Sequence, residues 1–306
     1  ANFLKESEFN SISVIGAQKI LNFYSNSNNS LRASQKDIEE SLLKNIIKDS
    51  KDDLSNFEFF NFLNDQFTKL ITAMKVEYMK YLCECDQAKR VPENNRTVFG
   101  KVRNIFPLLF KDLELSFNEE KEIPLRVKKN RKEYSVNGLS EGEKVVLYYV
   151  ISVLMAKDDG LIIIDEPETY LNPSISNLLW DKLKEEKPNN LVVGLYHGSI
   201  VGATLNNGNV IEDGTDGDKF KGCDVVMAGD IHKRQELKRG NTTIVYPGSL
   251  IQQTYGETVT QHGFCVWYIE ENKHEFVDLD SNYGLYDFQI RNIDDIDEDK
   301  ETLLNY

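Results

Sequence analysis

Residues 161–197 constrain the fold of this chain more than any other part of its sequence. They open with four apolar residues, 161–164, a run typical of a strand that is buried on both faces. Asp165 and Glu166 follow directly, then a helical segment, and then a second apolar run at 191–195. This order predicts an α/β fold, in which acidic residues at the carboxyl end of a strand lie where open sheets bind ligands. The alternative is that the two acids only cap the next helix.

A second informative segment lies upstream of that strand. Residues 139–143, Leu-Ser-Glu-Gly-Glu, precede a strongly apolar run at 145–151. The pattern predicts a helix with Ser140 as its N-cap and Glu143 three residues on, which is the spacing of a capping box. A helix N-terminus with small residues and free backbone N–H groups is also a natural phosphate site. The capping box alone is one interpretation, but the acidic strand that follows favours the phosphate site.

Taken together, residues 92–190 resemble the C-terminal half of an ABC-class ATPase core of the SMC/SbcC or OLD-like kind. Residues 139–143 match the signature motif of that family, and residues 161–166 match its Walker B strand. Residues 170–173 fit the D-loop region of the same family. The resemblance implies an ATPase that uses ATP and Mg²⁺.

The resemblance also implies a role for each matching residue. Ser140 and Gly142 would touch the γ-phosphate of a nucleotide that a partner protomer holds. Asp165 would bind Mg²⁺ through water, and Glu166 would be the catalytic carboxylate that polarises the attacking water. His197 has the spacing of the switch histidine that the family places at the end of the next strand.

One motif of that family has no match in the chain. The pattern Gly-x-x-x-x-Gly-Lys-Ser/Thr, whose loop cradles the phosphates and whose lysine reaches them, does not occur. The nearest approaches are at residues 16–19 and 100–101, and neither has the loop. The chain therefore carries half of an ATP site. We expect it to donate a signature in trans and not to bind ATP tightly alone.

Residues 191–290 follow another pattern. Short apolar runs separated by turn residues predict strands, in the manner of half a β-sandwich. The segment resembles the C-terminal half of the SbcD-like, calcineurin-type DNA-repair metallophosphoesterases. The matching runs, in chain order, are 195–198, 229–232, 246–250, 255–257, 262–264 and 282–284.

That second resemblance implies a site for two divalent metal ions, Mn²⁺ or another, at which a bound water becomes the nucleophile. His197 and His232 would be ligands. Asp230 stands where the family usually has a histidine, and its carboxylate can still coordinate. Nothing before residue 190 supplies the remaining ligands of the family, so this half-site is also incomplete. His262 and His274 are expected to be ordinary surface or core residues.

His197 is therefore open to two assignments, a switch histidine or a metal ligand. We favour the metal ligand, which puts a seam between two half-sites near residues 188–190. The predicted domains are then 1–91, a helical lobe with apolar residues at helical spacing; 92–190, the ATPase-like segment; 191–290, the phosphoesterase-like segment; and 291–306, an acidic tail. The predicted fold class is α/β, with a helical N-terminal lobe, a partial P-loop-type sheet and a partial phosphoesterase β-sandwich.

Composition limits the partners and the setting. The net charge is −14, and residues 191–306 hold 20 acidic against 9 basic side chains, which argues against non-specific coating of DNA. A short basic run at 126–132 is the one obvious place for a phosphate-rich partner. No apolar run approaches the roughly 20 residues of a membrane span, and no signal peptide precedes Ala1. We expect a cytoplasmic protein with free thiols; its first residue, Ala rather than Met, indicates that something upstream is missing.

Three functional hypotheses remain open. In the first, the chain is a DNA-processing protein, a metal-dependent phosphodiesterase or exonuclease with ATPase elements, incomplete and inactive alone. Its partners would be DNA and an SbcC/SMC-like ATPase or a second protomer, with no membrane. In the second, it is an ABC-class, OLD-like ATPase of the anti-phage type that uses Glu166. In the third, the chain is inert and its modules only bind. Physical completeness favours the third, because each half-site lacks the residues that would hold its ligand. The association of SbcC-like ATPases with SbcD-like nucleases, which the resemblances imply, favours the first, and the first is our prediction.

Overall fold

The computed structural model describes residues 12–16, 56–118, 121, 123–169, 171–269, 271–281 and 283–285. Most of the region 1–55 and the tail predicted at 291–306 lie outside the described residues, and so does Tyr170 of the D-loop region. The chain divides into two compact units, residues 1–192 and 193–306. No described helix combines the length and the apolarity that a membrane crossing requires.

The first unit contains a parallel strand pair, an antiparallel sheet and helices. Its strands are β1 (Ile12–Ile15), β2 (Leu113–Phe117), β3 (Leu125–Lys129), β4 (Lys132–Ser135) and β5 (Leu161–Asp165). Its helices are α1 (Asn56–Gln87), α2 (Val98–Leu109), α3 (Glu141–Met155) and α4 (Pro173–Glu186). β1 runs parallel to β5, and β2, β3 and β4 form an antiparallel sheet in chain order.

The helix α3 forms the core of this unit. Nearly all of its side chains from residue 144 onward are buried, as expected for a helix that is apolar on every face. It packs against α1, α2 and α4. The Tyr148 ring lies 6.5 Å from that of Phe67, and the Tyr149 ring lies 5.8 Å from that of Trp180. The apolar run at residues 145–151 therefore lies in the central helix of this unit.

The buried side chain of Lys187 bonds to the segment that precedes β5. The Nζ atom of Lys187 donates to the carbonyl oxygen of Ala156 (2.5 Å) and to Oδ1 of Asp158 (2.6 Å). Asn190 adds a hydrogen bond from Nδ2 to the carbonyl oxygen of Lys157 (2.8 Å). These bonds join the end of α3 to the segment after α4. We call them the Lys187 clamp.

The second unit contains four neighbouring strands of one sheet and a hairpin. Its strands are β6 (Leu191–His197, within which the boundary between the units falls), β7 (Val225–Gly229), β8 (Gln235–Arg239), β9 (Thr242–Tyr246), β10 (Gly263–Tyr268) and β11 (Lys273–Asp278). The order in the larger sheet is β6-β7-β9-β8, with β8 antiparallel to the others. In the hairpin of β10 and β11, Trp267 stands opposite His274, with the rings 4.9 Å apart.

The predicted α/β fold class is confirmed, because helices and parallel strands are both present. Two details differ from the expectation. One strand, β1, lies inside the segment for which helices were predicted, and its four residues pair with residues 161–164 of β5. The strands of the second unit build a mostly parallel sheet with a separate hairpin, where the sequence suggested half of a sandwich.

Candidate functional site

β5 ends at Asp165 and is followed by Glu166; these are the two carboxylates expected to act on magnesium and water. The strand before them is buried, whereas both acids are partly exposed. Glu166 has φ +47°, in the left-handed region that few residues other than glycine adopt. Its carbonyl oxygen accepts a hydrogen bond from the N–H of Thr169 (3.0 Å). The chain therefore turns sharply at Glu166, and the turn sets the carboxylate at the end of the strand.

One hydroxyl serves two carboxylates in that turn. Oγ1 of Thr169 lies 3.2 Å from Oε2 of Glu166 and 3.2 Å from Oε1 of Glu168. A hydroxyl has a single proton to donate, so only one of the two carboxylates receives it at a time. The arrangement keeps the carboxylates of Glu166 and Glu168 close together.

The N-terminus of α3 has the predicted capping box. The N–H of Glu143 donates to Oγ of Ser140 (3.3 Å), and Oε2 of Glu143 accepts from the N–H of Ser140 (2.8 Å). Ser140 is exposed, and Gly142 is partly exposed. Glu141 and Gly142 occupy the first two helical positions, whose N–H groups have no partner within a helix. The signature-like segment thus presents an accessible helix N-terminus.

Glu143 also links this helix to the antiparallel sheet. Its Oε1 accepts from Nζ of Lys129 at 3.3 Å. Burial alone would raise the pKa of Glu143, but hydrogen bonds from Ser140 and Lys129 more than offset it, so the pKa lies below its ordinary value.

In the basic run at 126–132, Arg126 and Lys128 are also paired, with Glu133 (3.1 Å) and Glu114 (3.6 Å). Three of its five cations are therefore engaged by acids of the same chain.

Tyr149 connects α3 with the acidic end of β5. Its hydroxyl donates to the carbonyl oxygen of Glu166 at 3.5 Å. Burial raises the pKa of the Tyr149 phenol far above its ordinary value, and the charges of the nearby acids, Asp165 and Glu166 among them, add to the shift. Ser140 lies nine residues before Tyr149, roughly 13 Å along the helix axis. The signature-like N-terminus and the acids thus lie on one packed unit, offset along α3.

The structure describes one of the two glycine–lysine segments found in the sequence, and that one is not a loop. Gly100 and Lys101 lie inside α2, and Nζ of Lys101 pairs with Oε2 of Glu186 at 2.8 Å. Gly16 follows β1, whose carboxyl end lies beside that of β5. Residues 17–19 lie outside the described part of the chain.

In the second unit, His197 and Asp230 share one edge of the sheet. His197 ends β6 opposite Gly229 of β7. A Cβ at Gly229 would stand only 3.2 Å from Cδ2 of His197, so the imidazole lies against this glycine. Asp230 comes next, with φ +90°. Two of the three residues predicted as metal ligands, His197 and Asp230, therefore lie at the carboxyl ends of neighbouring parallel strands, where α/β sheets bind ligands.

His232 lines a cleft of about 380 Å³ together with Asp230 and Glu257. Its Nδ1 lies 2.9 Å from Oε1 of Glu257, whose side chain is 2% exposed. Burial alone would raise the pKa of Glu257, but hydrogen bonds from the N–H of Gln253, His232 and Ser249 lower it below the ordinary value. A buried, charged carboxylate therefore stands behind the imidazole.

Sequence reasoning missed this carboxylate and the network behind it. Oγ of Ser249 donates to Oε2 of Glu257 (3.2 Å) and lies 3.0 Å from Nδ1 of His262. His262, which was expected to be an ordinary surface or core residue, is buried (6% exposed), and its Nε2 lies 2.6 Å from the carbonyl oxygen of Thr258. Ser249, Glu257 and His262 all lie in sequence runs that match the phosphoesterase family, and this match was the sequence feature that could have identified them.

These side chains do not fit a metal ion by themselves. Throughout the part of the chain that the structure describes, no group of three or more His, Cys, Asp or Glu side chains could hold one. The Mn²⁺ prediction therefore gains no support from the geometry.

Comparisons with known proteins give one partial relative. No protein-family model matches the chain. The chain is similar to the uncharacterized protein R555 of Acanthamoeba polyphaga mimivirus, with 35% identity over 131 residues. The match covers 41% of this chain and 9% of R555, so the chain spans only a small part of that protein.

Three solved SMC head domains are distantly similar. That of Thermotoga maritima has a TM-score of 0.29 at 14% identity, over 50% of this chain and 48% of that one. The Pyrococcus furiosus head, bound to the C-terminal domain of ScpA, gives 0.30 at 14%, over 69% and 50%. The Pyrococcus yayanosii head gives 0.30 at 14%, over 67% and 38%. Scores this low carry no argument, so the function of the chain rests on its own residues.

Proposed function

We propose that residues 92–190 form one half of an ABC-type ATP site. The chain supplies a catalytic carboxylate and a signature-like helix N-terminus, and a partner supplies the loop that cradles the phosphates. The observation that carries this proposal is the contact of Tyr149 in α3 with the backbone of Glu166. This contact joins α3, whose N-cap is Ser140, to the end of β5, where Asp165 and Glu166 lie.

The proposed roles follow from the chemistry of each group. Glu166 is the carboxylate that orients and polarises the attacking water. Asp165 holds Mg²⁺ through water, and the ion supplies charge neutralisation on the phosphates. Ser140 and the N–H groups at the start of α3, among them that of Gly142, meet the γ-phosphate of the partner's nucleotide. The N-terminus of α3 and the carboxyl end of β5 are both accessible, because Ser140 is exposed and Asp165 and Glu166 are partly exposed.

The partner in this proposal is an SMC/SbcC-like head that contains a Gly-x-x-x-x-Gly-Lys-Ser/Thr loop, because a second copy of residues 1–306 would lack that loop as well. DNA is the proposed substrate on which the assembled ATPase acts. The pairing of Arg126, Lys128 and Lys129 with acids leaves the basic run as a weak anchor for DNA, so most of the DNA contact falls to the partner.

Complementation of ATP hydrolysis tests the proposal. The chain is assayed alone and mixed with the N-terminal half of an SMC/SbcC-type head, which carries the missing loop. We expect negligible ATP binding alone and hydrolysis in the mixture. Glu166→Gln should reduce that rate by roughly 10²–10⁴-fold, the usual contribution of a positioned acid–base group.

Glu168→Gln is the matched control, because it removes the same charge from the same turn and shares the Thr169 hydroxyl. It should leave most of the activity. The proposal fails if the added half restores no hydrolysis, or if Glu166→Gln and Glu168→Gln reduce the rate equally.

A second candidate function is metal-dependent hydrolysis of phosphodiesters, with DNA as the substrate, at the carboxyl edge of β6 and β7. The position of His197 beside Gly229 and Asp230 favours it. Further ligands from a partner would be needed to complete the metal site. The direct test is calorimetric titration of the chain with Mn²⁺: binding that His197→Ala and Asp230→Ala each abolish supports this function, and the absence of binding with or without the partner half refutes it.

A further inference from the structure

The buried carboxylate of Glu257 is surrounded by hydrogen-bond donors. Oε2 accepts from the N–H of Gln253 (3.0 Å) and from Oγ of Ser249 (3.2 Å). Oε1 faces Oγ1 of Thr254 (3.2 Å) and Nδ1 of His232 (2.9 Å). Four groups thus converge on one side chain that is 2% exposed. A carboxylate that is ionised can only accept hydrogen bonds, so the imidazole has to be the donor.

The other ring nitrogen of His232 has a different environment. No hydrogen bond to Nε2 exists among the residues that the structure describes, and 40% of the side chain is exposed. The ring lines the cleft whose other polar walls include Asn206, Asn207 and Asp230. With the proton on Nδ1, the lone pair of Nε2 is left open to the cleft.

We infer that Glu257 is a positioning residue for His232, which fixes the imidazole in the Nδ1–H tautomer and presents an unprotonated Nε2 to the cleft. Nε2 can then accept a hydrogen bond from a bound molecule or coordinate a divalent cation. This inference deepens the second candidate function, but it concerns the state of the ring and holds whether or not a metal ion binds.

The second histidine of the network lacks this asymmetry. Nε2 of His262 lies 2.6 Å from the carbonyl oxygen of Thr258, and its Nδ1 lies 3.3 Å from the carbonyl oxygen of Ser249. Both carbonyl oxygens can only accept, so these contacts single out no tautomer of His262, and the inference concerns His232 alone.

Nitrogen-15 NMR of the imidazole rings measures this directly. The spectra are recorded on the 306-residue chain, about two pH units above the ordinary histidine value of about 6.5. The four histidines are assigned with single His→Gln variants. We expect the Nδ1–H form of His232 to exceed the Nε2–H form at least about tenfold, because its hydrogen bond is charge-assisted. A predominant Nε2–H form in the wild-type chain overturns the inference.

Glu257→Gln sharpens the test. The backbone N–H of Gln253 can only donate, so the amide oxygen of the new side chain should turn toward it and the NH₂ group toward His232. The imidazole must then accept at Nδ1, and its tautomer should invert to Nε2–H. Retention of the Nδ1–H form in a folded Glu257→Gln chain overturns the inference. Should this variant not fold, the wild-type spectrum alone still decides.

A second histidine–glutamate pair supplies the matched control. Nε2 of His274 lies 3.6 Å from Oε2 of Glu236 outside the cleft. Glu236→Gln should leave the His232 tautomer unchanged, and an inversion there would show that the effect is not specific to Glu257. Addition of Mn²⁺ to the chain alone and to the chain with the partner half then separates the two ideas: selective broadening of the His232 signals supports the second candidate function, and its absence from both samples refutes that function while the tautomer result stands.

Discussion

Removal of the Lys187 amino group should destabilise the first unit by about 2–3 kcal/mol. The side chain is 10% exposed, and its bond to the carbonyl oxygen of Ala156 is buried. A buried hydrogen bond from a charged donor contributes roughly 1.5–3 kcal/mol. The partner Asp158 is 79% exposed, so that ion pair adds only about 0.2–1 kcal/mol. Lys187→Met keeps the aliphatic stem, which limits the loss to these two bonds.

Tryptophan fluorescence can follow this unit alone. The chain has two tryptophans, and Trp180 is 3% exposed in α4, the helix that ends just before Lys187. In a Trp267→Phe background, urea unfolding monitored at Trp180 gives the free energy of unfolding of the first unit with and without Lys187→Met. The variant removes the donor that holds the pKa of Asp158 below its ordinary value, so that pKa should rise.

Lys182→Met is the matched control. Lys182 pairs with Glu185 on the surface, with side chains 30% and 64% exposed, and its loss should cost less than about 0.5 kcal/mol. A Lys187→Met chain within about 0.5 kcal/mol of its parent would refute the reasoning, as would an equal loss in the two variants.

Three further predictions concern the capping box and the His232 cleft. Ser140→Ala should cost the first unit about 1 kcal/mol in the same urea assay, and Ser140→Thr much less, because only the hydroxyl caps the helix. The pKa of Glu143 is lowered in the folded chain, so ionised Glu143 stabilises the first unit fully above the ordinary pKa of 4.5, and this stabilisation is lost as the pH falls through the folded pKa. Glu143→Gln should therefore weaken the decrease of the free energy of unfolding at acidic pH. An unchanged pH dependence would contradict this. Gly248→Ala should destabilise the second unit by about 1–3 kcal/mol, since φ is +82° and a Cβ would stand 2.9 Å from the carbonyl oxygen of His232; Trp267 emission during unfolding reports it, and a change near zero would refute the strain.

The features that sequence predicted are those whose causes are local. The apolar run at 161–164 became β5, and Ser140 became the N-cap of α3 with Glu143 closing the box. In each case the deciding contacts lie within a few residues, so spacing alone carries the information. The acids at the end of β5 follow from the strand that precedes them.

The features that sequence did not predict depend on distant partners. Glu257 reaches His232 across 25 residues, and Lys187 reaches Ala156 across 31. β1 has only four residues in a polar segment, and its pairing with β5 spans most of the first unit. No periodicity records such contacts, because the fold and not the local chain brings the groups together.

The cross-strand pair of Trp267 and His274 makes the emission of Trp267 a local reporter of the hairpin register. The two rings face each other across β10 and β11, 4.9 Å apart, which is the distance of an aromatic ring contact. His274→Gln removes that ring from the indole's surroundings while the backbone pairing stays intact. The emission of Trp267 should therefore change in a folded His274→Gln chain, and an unchanged spectrum would contradict this register.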